Sequence, residues 1–275
     1  MKQIPLVYFV DWGKIADAQI DAAFAELNEM GAKNIVIHPD WWLRDEEKGS
    51  FLDIIRKKML AANLNGQACH GPWRNEYGLS CPDEEQRKKI SLSHGRFINR
   101  VGDMGCLTYT VHLGENNLEY SKEYLHGQIR KTLDELLPEA EKSGVKIAME
   151  NMIDYQMSDE VAALAAEYEH SSLGLCLDVG HAHIKEGIET AIKNMAPYLV
   201  TCHLHDNNGG ADQHFPPGFG SVDWEFLIPV LKACPRLVNA ETEAGQYNGL
   251  SRSAAWEIFR NVWLKPEFVS GQEKH

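Results

Sequence analysis

Four polar residues stand where apolar runs end in the second half of the chain: Glu150 after Ile147-Ala148-Met149, Asp178 after Leu175-Cys176-Leu177, His203 after Thr201-Cys202, and Glu241 after Asn239-Ala240. A carboxylate set directly on an apolar run is costly unless something compensates its charge. Three oxygen donors and one imidazole, with no thiolate to build a closed zinc site, suit an open site for one divalent ion: Mn²⁺, Mg²⁺, Co²⁺ or Zn²⁺. A single Asp or Glu in such a place is commonly the N-cap of the next helix. Four in succession imply a shared purpose. Glu150 and Glu241 are also candidates for moving a proton to and from a substrate carbon. His181, three residues beyond Asp178, is a candidate ligand, substrate hydrogen-bond donor or proton carrier. His70, His112, Asp212 and His214 are candidates for further metal or substrate contacts. His203 and His205 are read as facing opposite sides of one strand, with His203 the inward one, and His38, His94 and His183 as packing or surface residues.

Short β-branched or apolar runs alternate with longer amphipathic stretches along the whole length, the pattern of a parallel sheet with crossover helices. The predicted strands are Leu6 to Val10, Asn34 to His38, Asn65 to His70, Leu107 to His112, Lys146 to Glu150, Leu173 to Asp178, Leu199 to His203 and Leu237 to Glu241. Gly31, Gly144 and Gly187 fall where helix caps or turns are expected, and Pro82-Asp83 opens a charged helix. The longest predicted loop, Asp206 to Val222, carries Asn207, Asn208, Gly209, Gly210, Pro216, Pro217 and Gly218, which oppose regular structure. An open doubly wound sheet gathers its ligands near one switch point. Here ionisable residues close strands three to eight, which only a closed ring brings to one mouth. The expected fold is therefore α/β, a single (β/α)8 barrel over residues 1–264, followed by a polar tail over 265–275.

The formal net charge of −13, from 27 Lys and Arg against 40 Asp and Glu, weighs against a polyanionic partner. Six cysteines without CxxC spacing fit free thiols in a reducing cytoplasm. The opening MKQIPLVYFVDWG is too short an apolar stretch to span a bilayer and shows no cleavage site, so it reads as a first strand.

With these residues in view, the chain resembles the xylose isomerase-like TIM barrels, a superfamily of sugar isomerases, ketose 3-epimerases, inosose-type dehydratases and the endonuclease IV group. The resemblance spans essentially the whole chain. It rests on Glu150-Asn151, on Asp178-Val179-Gly180-His181, and on His203-Leu204-His205-Asp206-Asn207 followed by Asp212-Gln213-His214 and Pro217-Gly218. Set against the epimerases, it implies Glu150, Asp178, His203 and Glu241 as ligands of one ion, with His181 touching substrate. The activity implied is isomerisation or epimerisation of a small ketose or polyol-type substrate, by carboxylate-mediated proton transfer through a metal-stabilised enediolate. A dehydratase would share the first step. Set against the endonuclease group, it implies the same four residues with His70, His112, His181, Asp212 and His214 around up to three Zn²⁺, in a phosphodiesterase acting on abasic DNA. That chemistry also needs basic residues tracking phosphates, and the acidic balance favours the sugar. Neither nucleic acid nor membrane is expected as a partner, and homo-oligomers are frequent in the superfamily. Trp12, Trp41 and Trp73, with Trp42, are expected to wall the mouth and stack on a sugar's apolar face. No basic phosphate cradle is evident, which points to an unphosphorylated substrate.

Overall fold

The apolar run Leu6–Tyr8 forms β1, and seven further strands follow it in a computed structural model that describes residues 3–9, 15–73, 75–114, 117–244 and 249–264. They are β2 (Asn34–Ile37), β3 (Asn65–His70), β4 (Thr108–Val111), β5 (Lys146–Glu150), β6 (Leu173–Asp178), β7 (Leu199–Leu204) and β8 (Ala240–Thr242). Each pairs in parallel with the next, and β8 pairs with β1, closing the ring. The eight-stranded (β/α)8 barrel is the fold. The predicted bounds of β3, β5 and β6 are the observed ones. β8 differs, because it begins at Ala240 and not at Leu237. It also ends at Thr242, one residue beyond the predicted Glu241, a difference that matters below.

Ten α-helices are described: α1 (Ile20–Glu29), α2 (Pro39–Lys48), α3 (Phe51–Ala61), α4 (Glu84–Gly102), α5 (Lys122–Ser143), α6 (Ser158–Tyr168), α7 (Val179–Ile184), α8 (Ile188–Met195), α9 (Trp224–Ala233) and α10 (Arg252–Leu264). Their ends follow from local chemistry. Asp83 caps α4 by accepting from the Gln86 backbone N–H, and Ser121 caps α5 by accepting from Tyr124. Gly144, at φ 69°, ends α5 in the left-handed region that glycine adopts without steric cost. Along α5, Leu125, Ile129, Leu133, Leu136 and Ala140 recur at helical spacing and form its buried face. Strand residues that point outwards, among them Ile35, Ile37, Tyr109, Ile147, Leu175 and Leu177, join the helices in one apolar layer around the ring.

Inside the ring the side chains are small: Val7, Val36 and Ala68 in one patch, and Ala148, Cys176 and Val200 in another. The apolar filling gives way to polar residues towards the C-terminal strand ends. The loop from Asp206 to Val222 is irregular but firmly tied. The Asp206 backbone makes an antiparallel bridge to Phe215. Its carboxylate accepts from the N–H groups of Gly218 and Val222 and from Trp224 Nε1, at 2.9, 3.1 and 3.0 Å. Asp206 thus anchors the loop that carries Asp212 and His214. No described helix is long and apolar enough to cross a membrane.

Candidate metal centre and active site

His203, at the end of β7 and fully buried, sits among carboxylates. Its Nδ1 lies 3.0 Å from Glu243, 3.6 Å from Glu150 and 3.7 Å from Asp178, and its Nε2 lies 3.6 Å from Glu241. On the far side of Glu150, its Oε2 is 3.4 Å from His70 Nε2 and 3.2 Å from His112 Nε2. Strands β3, β4, β5, β6 and β7 and the tip of β8 each send a side chain to this one place.

A second group adjoins it through Asp178. Asn151, directly after β5, bridges to the end of β6: its Oδ1 accepts from the Asp178 N–H at 2.8 Å and its Nδ2 donates to the Asp178 carbonyl at 3.1 Å. Asp178 also caps α7, accepting from the His181 N–H at 2.7 Å. His181 Nδ1 donates to the Asn151 carbonyl at 2.9 Å, which turns Nε2 towards Asp212, 3.5 Å away. Asp212 accepts from His214 Nε2 at 2.9 Å, and His205 Nε2 lies 3.0 Å from both Asp178 oxygens. His214 holds φ at +49°, a conformation that costs a non-glycine residue about 1 kcal/mol or more.

These groups line or underlie a cavity of about 550 Å³ whose wall includes Phe9, His38, His70, Trp73, His112, Met152 and Ala244 beside Glu150, Asp178, His181, Asp212, His214 and Glu243. Trp73 stands edge-on to both His38 and His70, with ring centroids 5.0 and 5.1 Å away. An apolar, aromatic side thus faces a carboxylate side.

Several sequence expectations need revision. Glu241 does not line the cavity: it is fully buried one same-face step below Glu243, with Oε1 accepting from Thr201 Oγ1 at 2.5 Å. The carboxylate at the mouth is Glu243, directly after β8. His203 and His205 do not face opposite sides, because residues two apart on a strand share a face, and both belong to the cluster. His38 is part of the cavity wall and also caps α2, its Nδ1 accepting from the Asp40 N–H. Trp41 is buried in the helix layer against Phe24 and does not reach the mouth, and Trp42 stacks on Phe97. Trp12 and the 265–275 tail lie outside the described residues. His94 and His183 lie elsewhere: His94 is buried, held by Tyr109 and Tyr77, and His183 bonds Ser221.

The electrostatics follow from this crowding. Burial would raise the Glu150 carboxyl, but the imidazoles of His112 and His203 outweigh it and hold it well below the ordinary carboxylate range. Asp178 is held down in the same way, against burial, by His181 and His205. Burial disfavours a charged His181, yet Asp178, Asp212 and Glu150 push its pKa up to about 11. His214 rises to about 9, with Asp212 and Glu243 overcoming burial. Negative charge in this site is therefore matched by whatever cations it holds. Glu150 Oε2, Glu243 Oε2, both nitrogens of His203 and Nδ1 of His205 are buried without a hydrogen-bond partner. Donor atoms around an ion bound at 2.0–2.2 Å stand about 3.3–3.6 Å apart in a tetrahedral arrangement. The spacings of 3.0 to 3.7 Å around His203 Nδ1 bracket that range, and His70, Glu150 and His203 each offer a ligand atom within 4.8 Å of the others.

A family model for the xylose isomerase-like TIM barrel matches residues 24–257. The chain belongs to this family. Among curated relatives, the uncharacterised protein MJ1614 of Methanocaldococcus jannaschii is 28% identical over 172 residues, 57% of this chain and 66% of that protein. The match thus spans just under two thirds of that relative's length. Solved structures of similar shape include the 3-keto-D-glucoside 4-epimerase YcjR from E. coli, with a TM-score of 0.78 at 14% identity over 94% of this chain and 99% of that one. The IolI protein, solved with a bound zinc atom, has a TM-score of 0.76 at 18% identity over 98% and 99% of the two chains. At such identities the likeness is one of fold. The family frame places the described cluster at the C-terminal face of the barrel, where enzymes of this architecture keep their sites.

Proposed function

We propose that this xylose isomerase-like barrel is a divalent-metal-dependent isomerase or epimerase of a small, unphosphorylated ketose or polyol-type substrate. The observation that carries the reading is the meeting of Glu150, Asp178 and Glu243 oxygens around His203 Nδ1 beneath a cavity with one aromatic side. These four residues would hold the ion. The oxygen-rich donor set suits Mn²⁺, Mg²⁺, Co²⁺ or Zn²⁺. A bound ion supplies Lewis acidity at the substrate's carbonyl oxygen.

The chain's own residues do the rest. Trp73 and Phe9 offer apolar surface to the C–H face of a sugar. Glu150 and Glu243, from β5 and from beyond β8, approach from different sides of the ring, so one can take a proton from carbon and the other return one. Return to the opposite face gives epimerisation, and return to the neighbouring carbon gives isomerisation. His181, with Nδ1 committed to the Asn151 carbonyl, presents Nε2 to the oxygen on which charge develops. No Lys or Arg lines the cavity among the described residues, in keeping with an unphosphorylated substrate. Loss of a β-hydroxyl in place of reprotonation would make the same site a dehydratase.

One observation favours a second reading. His70 and His112 converge on Glu150, and His181 and His214 on Asp212, so the cluster has donors for up to three Zn²⁺, as a phosphodiesterase acting on abasic DNA would require. The net charge of −13 weighs against it. Counting metals per chain in protein purified without chelator separates the two. One exchangeable ion, with solvent deuterium entering a ketose from a panel, supports the proposal. About three tightly held zincs, with nicking of abasic DNA, would replace it. Glu150→Gln and Glu243→Gln should each abolish the exchange while leaving the fold intact.

A further inference from the structure

We infer that Glu241 is a positioning residue for the metal centre: clamped by Thr201 beneath His203, it orients the imidazole whose other nitrogen faces the three carboxylates. The inference rests on the metal reading above. It assigns a role to a carboxylate that is fully buried and off the cavity wall.

The backbone fixes the arrangement. β7 and β8 pair at His203 and Glu241, so the two side chains project side by side into the ring. Thr201, two residues before His203 and on the same face, donates its hydroxyl to Glu241 Oε1 at 2.5 Å and sets the carboxylate plane. Glu241 Oε2 then points at His203 Nε2, 3.6 Å away, and neither atom has a hydrogen-bond partner. Beside them lie Val7, paired with Glu241 across the β1–β8 junction, and Cys176, paired with Thr201. A buried carboxylate with one oxygen unmatched is costly. The N–H of His203 is the donor in reach. An imidazole that gives Nδ1 to a cation carries its proton on Nε2, the atom aimed at Glu241. A cation held at Nδ1 would thus leave the Nε2 proton to the Glu241 oxygen, as a charge-assisted hydrogen bond. Carboxylates behind a metal-bound histidine are worth about 10- to 100-fold in metal affinity.

The test uses Co²⁺ alone as the probe, titrated into chelator-treated full-length protein, reading both Kd and the visible absorption bands. Wild type that binds no Co²⁺ removes the metal reading itself. Given wild-type binding, Glu241→Gln should weaken Kd by about 10- to 100-fold with the band positions unchanged, because the ligands are the same. Thr201→Val, which leaves the carboxylate in place and frees it to rotate, should weaken it in the same direction by less. That variant carries the test if Glu241→Gln does not fold. Wild-type Kd in the folded variants would overturn the inference and leave Glu241 a packing residue. Bands displaced along with the lost affinity would also overturn it, by making Glu241 a ligand.

Discussion

His205 and His214 lie face to face, their ring centroids 4.0 Å apart and their planes 6° from parallel. One comes from the tip of β7 and the other from the loop that Asp206 anchors, so the stack joins the loop to the barrel. Gly180 makes room for it. A Cβ there would sit 2.0 Å from His205 Cε1 and 2.5 Å from its Nδ1, far inside contact distance. Gly180→Ala should therefore displace the His205 ring, loosen the loop and weaken metal binding, with a stability loss of about 1–3 kcal/mol from overpacking. Urea unfolding and metal content measured on the same sample check both parts. An Ala variant with wild-type values in each would show that His205 has another place to go.

Asn151 is predicted to matter as much to the site as the carboxylate before it. Its side chain satisfies both the N–H and the carbonyl of Asp178, and burial leaves neither group water to replace it. Asn151→Ala should cost about 2–4 kcal/mol, the sum for two buried backbone groups left unpaired. It should also lower metal affinity, because Asp178 loses its fixed direction. Thermal unfolding with and without added Mn²⁺ reads the two effects separately. A variant that is destabilised yet binds the ion normally would confine Asn151 to the fold.

Two of the four tryptophans expected at the mouth should behave oppositely. Trp73 is 40% exposed and stands on the cavity wall, so Trp73→Ala should raise KM for the substrate with little effect on folding. Trp41, on the buried face of α2, is 2% exposed, and Trp41→Ala should cost about 3–5 kcal/mol as a core deletion. Denaturation midpoints of the pair decide this before any substrate is known. Equal losses of stability would place Trp73 in the core as well.

That contrast shows where sequence patterning succeeds and where it stops. The barrel was legible because strand and helix periods differ and because ionisable residues closed six successive strands. Glu150, Asp178, His181 and the histidines of β3 and β4 were legible for the same reason. Glu241 was taken for the mouth carboxylate because it closes the run that begins at Leu237 and reads as a strand ending there. In the structure Val238 bonds only across to Val200, and the β8 ladder begins at Ala240. One same-face step along the chain separates the buried Glu241 from Glu243 on the cavity wall. Phe9, Met152 and Ala244 carry no mark in the sequence that separates a cavity wall from a core. His38 is hidden by its position before Pro39, where an N-cap accounts for it fully. Which side of α2 turns inwards could not be read from two adjacent tryptophans.

Away from the metal centre, His94 gives the stability a pH dependence of definite sign. It is fully buried between Tyr109, whose hydroxyl donates to Nδ1 at 2.6 Å, and the Tyr77 carbonyl, which accepts from Nε2 at 2.9 Å. Burial lowers its pKa from 6.5 to about 4, against the smaller opposing pull of that carbonyl. The folded state therefore keeps His94 neutral at pH values where the unfolded chain has already taken a proton. Since the unfolded state binds more protons in that window, stability falls as pH drops from 6.5 towards 4, by about 3 kcal/mol in all. His181 and His214 act in the opposite sense in metal-free protein, stabilising below pH 6.5 and losing their contribution as pH rises through about 9 and 11. Comparing wild type with His94→Gln isolates the one residue. The variant should be less stable at pH 7 but should lose less on acidification, so the two urea midpoints converge between pH 6.5 and 4.5. Parallel curves across that range would mean that His94 is protonated in the folded protein or hydrated in its pocket.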